Sequence, residues 1–162
     1  MTTMGSKELT FSIIGAFIST LIASFFSLSI LTEEGLPMIL ASTGASAMLI
    51  FGMPHASVSQ PWNLIGGHLI SAAVGVSCYL FISSELLASS LAIPLAMLFM
   101  HWCRCIHPPG GATAITAVIG GANVHALGYG FLILPVFLNS IILLSFAMAI
   151  GTFRAQNPFE TR

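Results

Sequence analysis

The stretch of the chain best suited to chemistry is residues 107–114, which read His-Pro-Pro-Gly-Gly-Ala-Thr-Ala. Its two prolines lack backbone N–H groups and disfavour helix before them, so an incoming helix is expected to stop near His107. The same prolines and the small residues after them suit the first turn of a new helix, whose N–H groups lack intrahelical acceptors. Such a helix start can bind an anion through backbone N–H groups and a hydroxyl. The candidate binding residues are His107, Pro108, Pro109, Gly110, Gly111 and Thr113.

The composition identifies the class of protein that carries this stretch. Of the 162 residues, 56% are hydrophobic and only 6% are charged, whereas a soluble domain has about 25% charged residues. We therefore predict a polytopic membrane protein whose main partner is the lipid bilayer. The formal net charge is −1 and the sequence has no basic run, which excludes a nucleic-acid-binding protein.

Hydrophobic segments set the expected architecture. Four segments are close to the roughly 20 residues that cross a bilayer, and they cover residues 11–31, 64–82, 86–104 and 131–150. Two further segments, 37–52 and 111–120, are short and rich in small residues. We predict an all-α membrane protein with four full spans and two short, broken helices. One transmembrane domain, residues 11–150, is expected between polar tails at 1–10 and 151–162, with loops at 53–63 and 121–130.

An internal match relates the two short segments. Residues 44–47 read Gly-Ala-Ser-Ala and residues 111–114 read Gly-Ala-Thr-Ala, and each match lies between two long segments. This order predicts two halves, 11–82 and 86–150, related as an inverted repeat of three segments each, although four common residue types can also match by chance. Broken segments in corresponding halves indicate the central site of a transporter. The counterparts in the first half are Ser42, Thr43, Gly44 and Ser46.

The basic residues favour one of two membrane topologies. Lys7 lies near one end of the chain, and Arg154 and Arg162 lie near the other, so both termini are expected to be cytoplasmic. If the short segments cross, the chain has six crossings and Arg104 is cytoplasmic as well. If they are re-entrant, it has four crossings and Arg104 lies outside. The six-crossing topology places every lysine and arginine inside, and we favour it.

Two blocks of the sequence resemble the HPP integral membrane family. The resemblance rests on residues 107–114 and on a second block, 41–75, that includes Phe51-Gly52, Gln60-Pro61 and Gly66-Gly67-His68; it extends over residues 11–150. It implies a small membrane protein of bacteria and plastids, some members of which are associated with nitrite transport. We therefore expect a transporter or channel for a small monovalent anion such as nitrite, in a bacterial inner (plasma) membrane. One departure is Trp62, where many members carry arginine.

Several polar residues have a functional and a structural interpretation. His107 either donates to an anion or relays a proton, or it caps a helix end. His68 lies inside a span, where an imidazole needs a partner, so it is either part of the binding site or a core histidine whose hydrogen bonds are satisfied. Arg104 either attracts anions or extends to the interface. Gln60 and Asn63 either line a polar path or cap the helix that begins near Pro61.

Other activities receive less support from the sequence. No Ser–His–Asp set or Walker loop occurs, so we expect no catalytic residues, no cofactor and no enzyme. His101 and Cys105 stand four apart, but two ligands are too few for a metal site. An intramembrane metal or redox protein that uses histidine and cysteine remains an alternative, as does an accessory subunit without a permeation path. The small-residue stripes at Gly15–Ser27 and Gly67–Gly75 predict a homo-oligomer, because such stripes let helices pack closely.

Overall fold

The structure is a computed structural model that describes residues 4–31 and 40–155. The described part is helical and contains no strand. Its α-helices are α1 (Ser6–Leu31), α2 (Ala41–Gly52), α3 (Pro61–Phe81), α4 (Glu85–Trp102), α5 (Gly110–Ile119), α6 (Gly121–Leu127) and α7 (Leu138–Ala155). The 3₁₀ turns are Ser57–Ser59 and Gly128–Leu132, and Ile133–Phe137 is a π-helical turn. The start of the predicted segment 37–52 lies outside the described residues.

Helix lengths separate the long segments from the short ones. Within residues 4–31 and 40–155, four helical stretches are long and apolar enough to cross a membrane: Ser6–Leu31, Pro61–Phe81, Glu85–Trp102 and Gly121–Gly151. By contrast, α2 has 12 residues and α5 has 10, which at 1.5 Å per residue gives about 18 and 15 Å. These lengths are roughly half of the hydrocarbon thickness of about 30 Å. The predicted all-α architecture with four long and two short segments is therefore confirmed.

The region before α7 departs from the prediction. Residues 121–130 were predicted to form a loop, but they form α6 and a 3₁₀ turn. Gly121 and Gly128 have positive φ values of 81° and 50°, and they mark the two ends of α6. The predicted span 131–150 is also interrupted, since Leu134 has non-helical angles of −128° and 117°. Leu134 precedes a proline, which disfavours helical conformation at that position.

The end of α4 differs from the expected stop at His107. The helix ends at Trp102, and Arg104 adopts a left-handed φ of 53°. The Arg104 N–H donates to the His101 carbonyl at 3.1 Å, and the Cys105 N–H donates to the Met100 carbonyl at 2.9 Å. These two bonds form a Schellman motif. A backbone turn at Arg104, rather than the prolines, therefore terminates α4.

Residues 103–119 run along α3 in the same direction as that helix. The Trp62 Nε1–H donates to the Cys103 carbonyl at 3.1 Å, which fixes the start of this stretch beside the first turn of α3. Further along, Gly67 lies against His107, and Gly75 lies against α5 at Ala114 and Ala117. The non-helical residues 103–109 and the short helix α5 together follow most of the length of α3. This path fits the six-crossing topology, which remains a prediction.

The remaining helices place both described chain ends at one end of the bundle. Gly15 of α1 lies against Ile150 of α7, and Ser27 is hydrogen-bonded to Asn139, so α1 and α7 are antiparallel. Ser46 pairs with His68, and the Ser59 hydroxyl donates to the Leu49 carbonyl at 3.1 Å, so α2 and α3 are antiparallel as well. We call the end with the start of α1, the end of α7, residues 53–60 and Arg104 the proximal end.

The two short helices point in opposite directions, because α2 is antiparallel to α3 and α5 is parallel to it. This opposition fits the inverted repeat, which remains a prediction.

The small-residue stripes face the interior of the chain. On α1 the buried positions are Ser12, Gly15, Ser19, Ala23, Ser27 and Leu31. On α3, a Cβ at Gly75 would lie 2.7 Å from the Cβ of Ala117, so this stripe is filled by α5. Because both stripes are used in packing within the chain, they no longer indicate a contact between subunits. The homo-oligomer remains a prediction without that support.

Candidate functional site

The structure brings His68 and His107 together in the interior. Their ring centroids lie 4.9 Å apart, with an angle of 64° between the rings. His68 is 4% exposed and His107 is fully buried. The close approach depends on the residue before His68, since a Cβ on Gly67 would lie 2.5 Å from the Cβ of His107. The Gly66-Gly67-His68 sequence therefore lets residues 103–109 pack against α3.

Ser46 of α2 lies between the two histidine rings. Its Oγ is 2.7 Å from the Nε2 of His68 and 2.9 Å from the Nε2 of His107. The outer nitrogens also have partners: the Nδ1 of His68 is 2.7 Å from the Oγ1 of Thr113, and the Nδ1 of His107 is 2.8 Å from the carbonyl oxygen of Val58. We call Ser46, His68, His107 and Thr113 the histidine cluster.

The Val58 carbonyl fixes the direction of every bond when both rings are neutral. A carbonyl oxygen can only accept, so the Nδ1 of His107 must carry the proton and its Nε2 must accept from the Ser46 hydroxyl. Ser46 has then donated its single proton, and its oxygen accepts from the Nε2–H of His68. The Nδ1 of His68 in turn accepts from the hydroxyl of Thr113. The neutral cluster is a continuous chain in which each imidazole nitrogen is satisfied.

A small cavity of about 10 Å³ adjoins the histidine cluster, roughly the space for one water molecule. Its polar lining comes from His68, Asn139 and three hydroxyl residues, and the full lining is Leu40, Ser42, Thr43, His68, Val136, Asn139, Ser140 and Leu143. His68 therefore belongs to both the cavity and the cluster.

Asn139 in this lining has an unsatisfied amide. The Nδ2 donates to Ser27 Oγ at 2.8 Å and to Thr43 Oγ1 at 3.1 Å, while the buried Oδ1 has no partner among the described residues. Asn139 is only 4% exposed. An unsatisfied buried amide end costs roughly 1–3 kcal/mol, so this position indicates that the cavity accommodates a small polar species.

The start of α5 differs from the expected anion site. The N–H groups of Gly110, Gly111 and Ala112 donate to the carbonyls of His107, Pro108 and Pro109 at 2.9, 3.0 and 3.1 Å. The expectation of free N–H groups at this helix start is therefore wrong, because a tight turn satisfies them locally. Gly110 has a packing role instead, since a Cβ there would lie 2.5 Å from the Oγ of Ser71; a Cβ on Gly111 would meet nothing within 4 Å.

Comparison with known proteins supports the resemblance seen in the sequence. A family profile described as the HPP transmembrane region matches residues 1–159. The chain belongs to this HPP family. Two transmembrane proteins of Dictyostelium discoideum are similar, at 33% and 29% identity over 157 residues, which is 94% of this chain. The chain spans 50% and 55% of the lengths of these two relatives. No solved structure matches the chain.

Three other predicted residues of this HPP protein lie outside the histidine cluster and the cavity lining. The Asn63 Nδ2 donates to the Ile106 carbonyl at 2.9 Å, which attaches residues 103–109 to α3. Gln60 is exposed, and its Nε2 donates to the Ala56 carbonyl at 3.2 Å. Arg104 is exposed at the turn that ends α4, as its interfacial interpretation requires.

Residues 42–47 and 108–114 of the HPP protein lie partly at the site and partly at the surface. Ser42 and Thr43 line the cavity, whereas Gly44 is exposed. Pro108 is exposed and Pro109 is buried at the N-cap of α5. Within residues 44–47 and 111–114, Ser46 and Thr113 are each hydrogen-bonded to His68.

Sequence reasoning missed Asn139 and Ser140 in the cavity lining and the Val58 carbonyl that His107 contacts. Asn139 is the one amide side chain within the apolar run 131–150, and a polar residue at that depth indicates a functional or partnered position. That pattern could have identified it. Val58 contributes its backbone carbonyl, for which the side-chain sequence gives no indication.

The other histidine of the interior has a separate role. The His125 ring stacks on Tyr79 with centroids 3.6 Å apart, and its Nε2 lies 2.9 Å from the Val118 carbonyl. These contacts attach α6 to α3 and α5. Within residues 4–31 and 40–155, no three His, Cys, Asp or Glu side chains form a group that could hold a metal ion.

Proposed function

We propose that this HPP protein transports a small monovalent anion, nitrite or a similar ion, across the membrane. The observation that carries the proposal is the cavity beside the histidine cluster, which the first residues of α2 help to line. It combines hydroxyl groups, an imidazole and the unsatisfied Asn139 amide in the interior of a membrane domain. A polar cavity of this kind inside a bundle of apolar helices is typical of a permeation path.

The lining can supply donors to an anion without a buried lysine or arginine. If the Asn139 amide turns over, its Oδ1 accepts from the hydroxyls of Ser27 and Thr43, and its Nδ2–H groups face the cavity. Ser42 and Thr43 add hydroxyl donors. Among the described side chains, acidic residues occur only at helix starts, namely Glu8 and Glu85, so no carboxylate repels an anion at the cavity.

Neutral donors also suit transport better than tight binding. A permeation site must bind an ion strongly enough to admit it and weakly enough to release it. The cavity has roughly the space of one water molecule, so it must widen to admit a three-atom anion such as nitrite, and a larger anion would require a wider opening still. The resemblance to HPP members associated with nitrite transport makes nitrite the first anion to test.

We further propose a bacterial inner (plasma) membrane location with the proximal end in the cytoplasm. Lys7, Arg104 and Arg154 belong to the sequence at this end of the bundle. Positive residues are enriched on the cytoplasmic side of membrane proteins. Both chain termini are then cytoplasmic.

Flux into liposomes that contain only this protein tests the proposal. We expect nitrite uptake above that of protein-free liposomes, and a panel with nitrate, formate and chloride defines the selectivity. Asn139→Leu, which removes the amide and fills the cavity, should reduce the initial rate about tenfold. Ser145→Ala on the same helix is the matched control, since Ser145 is exposed and donates only to the Ile141 carbonyl.

The alternatives give different results in the same preparation. Absence of flux for every anion in the panel, from protein that is folded, would overturn the proposal and favour an accessory subunit. A stoichiometric metal or a visible chromophore in the purified protein, without flux, would favour the intramembrane metal or redox protein.

A further inference from the structure

The histidine cluster has the connectivity of a site that holds one extra proton. We propose that the cluster takes up a single proton together with the anion, so that the protein carries the two across the membrane as a pair. This inference rests on the proposed anion transport and adds its coupling ion. The geometry behind it is that His68 lines the cavity while also bonding to Ser46 and Thr113.

The proton can be placed without leaving any imidazole nitrogen unpaired. When His68 accepts a proton at Nδ1, that N–H donates to Thr113, whose hydroxyl can turn to a carbonyl of its own helix, as helical threonines do. The charge can then move: the Nε2 proton of His68 passes to Ser46 while the Ser46 hydroxyl proton passes to His107. The product is a charged His107 and a neutral His68 with its proton on Nδ1. Only protons move, and no oxidant or reductant is needed.

A second proton is disfavoured by the same geometry. With both rings charged, two cations would lie 4.9 Å apart between ring centroids, and the single Ser46 oxygen would have to accept from both. The Val58 carbonyl, which cannot take a proton from His107, closes the chain at its other end. The cluster therefore has room for one excess proton.

Within the described part of the chain, no side chain bonded to the cluster carries a permanent counter-charge. Within their described side chains, α2, α5, α7 and the turn at 57–59 carry no titratable group. Besides His107, residues 103–109 contribute the Cys105 thiol, which packs on Gly66, and the exposed Cys103 and Arg104. On α4 the titratable groups are Glu85 in the first turn and the exposed His101; on α3 they are Cys78 and Tyr79, and on α6 and its following turn His125 and Tyr129.

A bound anion is the natural counter-charge for the protonated cluster. Burying an isolated charge is costly, whereas opposite charges in a low-dielectric site attract strongly. The anion in the cavity therefore favours the charged form of His68, and by reciprocity the proton favours anion binding. Uptake of the two is linked, and the loaded site is neutral overall.

Proteoliposomes with a pH-sensitive dye inside test this coupling. Sodium nitrite or sodium nitrate is added outside, and protein-free liposomes correct for passive leak of the conjugate acid. We expect an inward proton gradient to drive anion accumulation with one proton per anion. A potassium–valinomycin potential should leave the rate unchanged, because the paired movement is electroneutral.

Variants connect the coupling to the cluster. His68→Gln and Ser46→Ala should each reduce gradient-driven accumulation at least tenfold, whereas His125→Gln, outside the cluster, should retain it. Anion flux that follows the potential without proton uptake would overturn this inference and leave the proposed transport standing. Proton coupling that persists unchanged in folded Ser46→Ala and His68→Gln protein would also overturn it. Because the stoichiometry is measured on the unmodified protein, a variant that fails to fold does not remove the test, and absence of any anion flux overturns both proposals.

Discussion

The contact between α3 and α5 at Gly75 gives a quantitative test of how the site is held together. A Cβ at position 75 would collide with the Ala114 carbonyl oxygen and lie 2.7 Å from the Cβ of Ala117. Both obstacles belong to the backbone or to its first carbon, so neither can rotate away. In Gly75→Ala the two helices must separate, and overpacking of this kind costs about 3 kcal/mol at the upper end of its range.

Part of that cost is offset by the higher helix propensity of alanine, by about 1 kcal/mol. The net destabilisation should be about 2 kcal/mol, which for a chain of this size lowers the midpoint of thermal unfolding by about 4–8 °C. The separation also pulls Thr113 away from His68, whose Nδ1 lies 2.7 Å from the Thr113 Oγ1. Anion flux should therefore fall even at temperatures where the variant is folded.

Gly111→Ala is the matched control on α5. No atom lies within 4 Å of a Cβ added there, and the Gly111 N–H is already bonded to the Pro108 carbonyl. We expect unchanged flux and a stability that is equal to the parent or higher by up to about 1 kcal/mol. Thermal unfolding of both variants in one detergent gives the comparison. A Gly75→Ala protein as stable as Gly111→Ala would show that the close approach of α3 and α5 is wrong.

Three further outcomes follow from individual positions. Arg104→Gly should raise stability by about 1 kcal/mol in thermal unfolding, because glycine adopts the left-handed turn without strain; a lower midpoint would contradict the Schellman turn. Asn63→Leu should cost about 1 kcal/mol through loss of its bond to the Ile106 carbonyl, and equal stability would show that this bond is dispensable. Single cysteines at Ala56 and Glu85 should react with an impermeant reagent from opposite sides of the membrane, with Ala56 inside, and labelling of Ala56 from outside would contradict the six-crossing topology.

The architecture was largely predictable because the bilayer imposes it on the sequence. Each long segment must be apolar over about 20 residues. Helix α3 lies within three residues of its predicted limits, and α1 includes the whole predicted segment 11–31 and begins at Ser6. The short segments were predictable for the opposite reason, since their small residues cannot form a lipid-facing surface. The prediction from hydropathy was wrong at residues 121–130. The glycines there indicated a loop, but the structure has α6 at this position.

Local rules were less reliable at the turns on either side of the His-Pro-Pro motif. The end of α4 depends on a left-handed arginine, a conformation that sequence rules assign to glycine. The first N–H groups of α5 were expected to be free, but the carbonyls of residues 107–109 accept from them. In both cases backbone N–H groups donate to nearby backbone carbonyls, in a conformation that no side chain specifies.

The contacts that create the site connect residues far apart in the chain. Ser46 is 22 residues from His68 and 61 from His107, and Thr113 is 45 from His68. Periodicity carries no information about such pairs. The sequence could therefore nominate His68, His107, Ser46 and Thr113 separately, as polar residues in apolar surroundings, but could not predict that they form one chain.

Residues 44–47 and 111–114, the two matched tetrapeptides, each contribute one hydrogen-bond partner to His68. Ser46 and Thr113 occupy the third place of the two matched sequences, and they bond to opposite nitrogens of the same imidazole. Ser46 belongs to α2 and Thr113 to α5, which run in opposite directions in the two predicted halves of the chain. A displacement of one half against the other cannot leave both bonds intact, since one ring is held by both helices. The hydrogen bonding of His68, and which of its ring nitrogens carries the proton, therefore depends on the position of α5 relative to α2.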